Sequence, residues 1–203
     1  LEEAVAARKY NENADHVMTV TLLKEIDLGN TTLLVDSDED YKNSNINFDF
    51  AEKDVEGSLT PAIRIQGGAN VTIKNGKMNT TGYNFILGAS DGSSAGNLTI
   101  ESGEYHAQTS VVSVTKGHLN ITGGDFSVEP YQGNYAYLIN CIDANYEDGS
   151  AKVSISGGTF HNWNPQNNAA EGANTNFCAS GYGAVEKSTG VWEVVPMQGM
   201  KLL

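Results

Sequence analysis

Arginine is nearly absent: Arg8 and Arg64 are the two in 203 residues. Basic residues number 12 against 25 acidic ones, for a formal net charge of −13. A surface this short of cations offers few phosphate contacts, so nucleic acid and anionic membranes are poor partners. Long apolar runs are missing too; none approaches the roughly 20 residues needed to cross a bilayer. No signal peptide is visible, and because the chain starts at Leu1 rather than Met this does not argue against secretion. Cysteine is limited to Cys141 and Cys178. A disulfide and a pair of buried thiols both stay open, and so few cysteines fix no compartment. Proline is scarce at 4 residues, whereas glycine reaches 22, and asparagine, threonine and serine crowd the chain. That mix suits many short strands joined by tight corners.

The strongest internal signal is a repeat. Four segments align without gaps, beginning Val71-Thr72-Ile73, Leu98-Thr99-Ile100, Leu119-Asn120-Ile121 and Val153-Ser154-Ile155. Each continues through Gly76, Gly103, Gly124 or Gly158 to a large apolar residue, Met78, Tyr105, Phe126 or Phe160. Two weaker copies precede them, at Val20-Thr21-Leu22 and Ile46-Asn47-Phe48. Alternation puts Val71 and Ile73 on one face of a strand and Thr72 and Lys74 on the other. The glycine marks a corner, where positive φ is cheap only without a Cβ. After it the alternation resumes in phase, so both strands feed one core. A further strand precedes each unit, as in Ala62–Ile65, Asn84–Leu87, Val111–Val114 and Tyr137–Ile142.

One such three-strand unit cannot bury its apolar side alone; stacked units can, with like residues in ladders about 4.8 Å apart. The chain therefore reads as all-β, a single-stranded right-handed parallel β-helix of about six coils. An antiparallel sandwich would need hairpin signals between successive strands, and the repeat does not carry them. The expected organisation is one domain, with a cap at 1–16, coils at 17–162 and an irregular lid at 163–203. Leu1–Ala7 has apolar residues at helical spacing and predicts a capping helix over the mouth of the first coil. Val185–Val195 predicts a hairpin turning at Lys187–Gly190 within the lid.

These coil segments, notably Asn70–Gly76 and Ile155–Phe160, resemble the pectin-lyase-like β-helix superfamily. The Leu1–Val5 start and the Asn164–Tyr182 segment resemble, more narrowly, uncharacterised β-helix proteins of gut bacteria and their phages. The resemblance covers nearly the whole chain and implies the fold. It carries over no catalytic residue. Superfamily lyases use an Arg or Lys base beside a neutralised uronate, often through Ca2+, and Arg64 stands alone among the coils. The galacturonase-like Asn-Thr-Asp, Asp-Asp, Gly-His-Gly and Arg-Ile-Lys motifs are absent. Glu104 and Asp125 occupy equivalent outward positions in adjacent coils, about 5 Å apart by the coil rise. That spacing admits a retaining hydrolase pair, against the plainer reading of a solvated acidic ladder.

Outward aromatics and polar groups give a different candidate. His106 and His161 share one outward position after the glycine corner, two coils apart and too far to share a metal. Tyr83, Tyr131, Tyr135 and Tyr137 fall in the neighbouring connections, with Trp163 close in sequence to His161. Aromatic faces have a dry body and polar edges, so Tyr83, His106, Tyr131, Tyr135, His161 and Trp163 predict a sugar-stacking platform. No cofactor is expected, except that the corners Ser90–Ser94 and Tyr146–Ser150 admit a Ca2+ with few carboxylates. The expected function is a non-catalytic structural or attachment module, extracellular, on a bacterial cell surface or a virion. Its expected partners are a neutral glycan and either further copies of itself or a larger assembly. A polysaccharide lyase or glycoside hydrolase and a purely structural spacer are the alternatives.

Overall fold

The computed structural model describes residues 17–36, 45–58 and 61–197. The predicted N-terminal capping helix lies outside them. The fold is all-β, and its strands form three sheets, none of which closes on itself. Sheet A contains β1 (Met18–Thr21), β4 (Asn45–Asp49), β7 (Asn70–Lys74), β10 (Gly96–Ile100), β13 (Gly117–Ile121) and β16 (Ala151–Ile155), in that order. Sheet B runs β2 (Ile26–Asp27), β5 (Asp54–Gly57), β8 (Gly76–Thr80), β11 (Gly103–Ala107), β14 (Asp125–Val128) and β17 (Thr159–His161). Sheet C holds β3 (Leu33–Asp36), β6 (Ile63–Gln66), β9 (Tyr83–Leu87), β12 (Ser110–Val114) and β15 (Ile139–Cys141). The chain visits A, B and C in rotation, and all of these neighbours pair in parallel. A parallel pair needs a long crossover. Here the other two strands of each circuit supply it.

The register follows the repeat. Val71, Leu98, Leu119 and Val153 are Cα partners in series. Ile73, Ile100, Ile121 and Ile155 form the ladder beside them and are fully buried. Met78, Tyr105, Phe126 and Phe160 line the inner face of sheet B, and Ile63, Phe85, Val112 and Ile139 that of sheet C. All but the half-buried Val153 belong to one buried core cluster, and Val153 packs against it. Burying each such side chain contributes about 1.5–3 kcal/mol, and that offsets the ordering of the loops between strands.

Two expectations need correction. The first repeat is displaced by two residues: Met18, not Val20, pairs with Ile46, and Val20 pairs with Phe48. The corner glycines are also not all in the left-handed region. Gly103, Gly124 and Gly158 have φ of 127°, 115° and 102°, but at the earlier corner Asn75 takes the positive φ, at 52°. Asparagine tolerates that conformation. Asn75 is also held by its side-chain amide donating to Asp49 Oδ1 at 3.0 Å and by its N–H donating to Ser102 Oγ at 2.9 Å. Gly76 is needed for a different reason: a Cβ there would overlap the Tyr105 hydroxyl.

The predicted hairpin is present as β18 (Tyr182–Ser188) and β19 (Val191–Pro196). It extends sheet B, with β19 antiparallel to β17. The irregular segment before it lies against the other two sheets. Cys178 bridges Ile155 at the edge of sheet A. Glu171 Oε1 accepts the Cys141 N–H at the edge of sheet C. Both cysteines are free, and Cys141 is buried. The one α-helix among the described residues is α1 (Asp143–Glu147).

Candidate functional site: a tyrosine cleft on sheet C

The connection after β14 builds the site. Tyr131 and Asn134 exchange backbone hydrogen bonds, both 2.9 Å, across a two-residue turn. Gln132 and Gly133 supply the positive φ values, 50° and 79°, that such a tight turn demands. Asn134 Oδ1 then accepts the Ala136 N–H at 2.8 Å and starts the 3-10 turn Ala136–Leu138. Leu138 plugs the core while Tyr137, one residue earlier, points out. Tyr131 and Tyr137 meet edge to face, with ring centroids 6.3 Å apart and planes at 65°. They are 63% and 45% exposed, so both rings offer surface to a ligand.

Sheet C supplies the rest. Tyr83 opens β9 and Ser110, its register partner, opens β12. Ser113 and Asn140 are outward partners on β12 and β15. With Gln108, these side chains and the three tyrosines surround a cavity of about 470 Å3. That volume lies within the range of small-ligand pockets. No lining residue is charged. The floor is tied down: the Ser110 hydroxyl lies 3.0 Å from Val112 O and 3.2 Å from Leu138 O. Behind the floor, Asn84 is fully buried, and its amide donates to Thr80 Oγ1 and His106 O. Tyrosine faces, hydroxyls and carboxamides on a fixed floor can stack on a sugar ring and hydrogen-bond its hydroxyls.

The six residues expected to form one platform divide. Tyr83 and Tyr131 do line the cleft. Tyr135 is half-buried, precedes the 3-10 turn and packs against the core. Trp163 is 3% exposed, enclosed by Phe160 and Phe177, with Nε1 donating to Ala136 O at 3.3 Å. It presents no ring face to a ligand. His106 and His161 belong to sheet B, whose outer face forms a separate groove. Tyr137, Ser113, Asn140 and Gln108 join the cleft instead. The shared outward position of Ser113 and Asn140 was a usable signal for two of them.

The groove on sheet B is polar and about 320 Å3 in volume. Glu104 and Asp125 are register partners there. His161 Nε2 lies 2.8 Å from Asp125 Oδ1, His106 Nδ1 is 2.9 Å from Ser127 Oγ, and Lys77 pairs with Asp54 at 2.8 Å. A general acid needs an environment that keeps it protonated. Glu104 is instead exposed, and Asp125 is engaged by an imidazole. Among the described residues, no group of three or more His, Cys, Asp and Glu side chains is arranged to hold a metal ion.

No family model, curated protein or solved structure matches the chain.

Proposed function

We propose that the protein is a right-handed parallel β-helix serving as a non-catalytic attachment module that holds a neutral glycan in the tyrosine cleft. The observation that carries this reading is the absence of charge in a cleft walled by three tyrosines, on a protein of net charge −13. The surrounding field repels uronates and sulfated chains, and the cleft offers a neutral sugar stacking surface without a desolvated charge. The β-helix half of the reading is supported by the rotation through three sheets and the repeat that drives it. The resemblance of the Leu1–Val5 start and the Asn164–Tyr182 segment to β-helix proteins of gut bacteria and their phages supports a setting on a cell surface or virion.

A glycan array with the wild type and the Tyr131→Ala, Tyr137→Ala double variant tests the site. Both rings are exposed, so their loss leaves the core intact. The expected result is wild-type binding to neutral glycans and its loss in the variant. Undiminished binding by the variant would place the site elsewhere. No binding by the wild type would favour a spacer without ligand.

A further inference from the structure

The C-terminal end of the stack leaves three strand edges to cover, and the lid covers them in two ways. Sheet A ends at β16, where the Ile155 N–H donates to Phe177 O at 2.9 Å and Ile155 O accepts the Ala179 N–H at 2.8 Å. Sheet B is continued by backbone pairing of β17 with β19. Sheet C ends at β15, and there the cover is a side chain: the Cys141 N–H donates to Glu171 Oε1 at 2.5 Å. One edge of the three is thus closed by an ionisable group, where the other two are closed by backbone.

Glu171 stands on a loop that is closed on itself. Asn168 and Thr175 exchange backbone hydrogen bonds, both 3.0 Å. Inside the loop, Asn168 Oδ1 accepts the Ala170 N–H at 3.0 Å. Thr175 Oγ1 accepts the Glu171 N–H at 3.2 Å and donates to Gly172 O at 2.8 Å. Among the described residues, the Glu171 carboxyl makes the loop's one hydrogen bond to a sheet. Ala170 adds a small apolar contact with the core. The loop can therefore leave sheet C without losing the bonds that give it its own shape.

The seat of that carboxyl suits a neutral group better than a charged one. Glu171 is half-buried as a residue, but its Oε2 is enclosed and has no partner among the described residues. An ionised carboxyl can accept about four hydrogen bonds, and here the protein supplies one. Among the described residues, no lysine, arginine or histidine pairs with it. The titratable groups that face it are Cys141 on β15 and Asp143 and Tyr146 on α1. Burial holds the Cys141 thiol and the Tyr146 hydroxyl above their ordinary pKa values, so neither becomes a cation or a compensating donor of charge. Asp143 opposes a second negative charge beside it. We infer that Glu171 is a pH-sensitive latch: when neutral it holds the Asn168–Thr175 loop on the edge of β15, and when ionised it releases the loop and bares that edge. Ionisation in place would leave a charge with one hydrogen bond and no counter-ion, whereas the open loop gives it water. Burial, helped by Asp143, outweighs the Cys141 N–H and raises the pKa of the closed form. The closed form thus binds the proton more tightly than the open one. Opening therefore becomes about tenfold more favourable per pH unit between the ordinary glutamate value and the raised one, and is constant outside that window. The inference concerns the lid and does not depend on the tyrosine cleft.

The test is amide hydrogen exchange by NMR as a function of pH, with each rate divided into the intrinsic rate at that pH to give a protection factor. Two amides are compared. Cys141 is bonded to the Glu171 carboxyl, and Ile155 is bonded to the Phe177 backbone at the neighbouring edge. In the wild type, protection of Cys141 should fall about tenfold per pH unit within the window, while protection of Ile155 stays level. In Glu171→Gln, protection of Cys141 should be level as well. In Asp143→Asn, which lowers the raised value, the fall should stop at a lower pH. Level protection of Cys141 in the wild type would overturn the latch. A fall shared equally by Cys141 and Ile155 would also overturn it, since the whole lid would then be opening. An undiminished fall in Glu171→Gln would assign the proton to another group. The wild-type comparison of the two amides decides by itself, so a variant that folds poorly leaves the outcome intact.

Discussion

The Tyr105 ring lies almost parallel to that of Phe126, with centroids 5.3 Å apart and planes 10° from each other. Phe126 stacks in the same way on Phe160, at 5.0 Å and 14°. The parallel register of sheet B puts identical inward positions one above another, so ring stacking is a consequence of the repeat. Each ring is also completely enclosed or nearly so. Removing the middle one forfeits contacts with both neighbours. Phe126→Ala should destabilise the protein by about 3–5 kcal/mol in urea unfolding. A cost near zero would mean that the stack contributes nothing beyond filling space that its neighbours can reclaim.

Gly76 and Tyr105 are coupled across that same stack. A Cβ at Gly76 would collide with the Tyr105 hydroxyl and ring carbons. Gly76 is not in the positive-φ region, so backbone strain does not enter. Gly76→Ala should therefore be destabilising in the wild type and much less so in a Tyr105→Met background, since Met78 already fills the equivalent position one rung away. A double-mutant cycle by chemical denaturation should give a coupling of about 0.5–3 kcal/mol. Additive effects would show that the glycine is required for something other than room.

The contrast between these positions and Trp163 shows what the sequence made legible. Val71, Leu98, Leu119 and Val153 announced their register because each repeats the same alternation beside the same corner. The first copy was harder. Met18 and Val20 are both apolar and two residues apart, so either satisfies the pattern, and only pairing to Ile46 selects Met18. Trp163 has no repeat around it. Its enclosure depends on Phe177, fourteen residues on, folding back over it — a tertiary fact with no periodic trace. The cleft was half legible for a related reason. Tyr83 and Tyr131 could be assigned to connections, but which rings turn outward in the 3-10 turn, Tyr137 rather than Tyr135, is decided by Leu138 entering the core.

Glu171 makes stability depend on pH. One carboxylate oxygen accepts the Cys141 N–H at the outer edge of sheet C, and the other is buried without a partner among the described residues. Burial raises its pKa above the ordinary glutamate value, and Asp143 adds to the shift, while the Cys141 N–H opposes it. The folded state therefore holds this proton more tightly than the unfolded chain. Its contribution is fully present below the ordinary glutamate value and is lost as pH rises through the raised one. Glu171→Gln keeps an oxygen acceptor for Cys141 and removes the charge. Thermal unfolding across this window should show the variant gaining on the wild type as pH rises, with a constant difference below it. A difference independent of pH would mean that Glu171 titrates as it does in the unfolded chain.

The acidic face of sheet B leads to a prediction about turnover. Glu104 and Asp125 sit in adjacent strands, close to the separation of about 5–5.5 Å used by retaining glycosidases. Separation alone does not divide the labour between acid and nucleophile. That division needs one carboxyl kept protonated by a dry surrounding and the other kept charged. Here Glu104 faces solvent, while His161 lies 2.8 Å from Asp125 on a half-exposed surface. Both carboxyls line an open groove shared with Asp54, Glu56 and Lys77, and the aromatic cleft that would hold a sugar lies on sheet C instead. Incubation with neutral and uronate-containing polysaccharides should therefore release neither reducing ends nor unsaturated products above a no-protein control. Reproducible turnover that disappears in both Glu104→Gln and Asp125→Asn would move the function to sheet B and make the protein a hydrolase. Turnover unaffected by either substitution would point to a contaminant, and the attachment reading would stand.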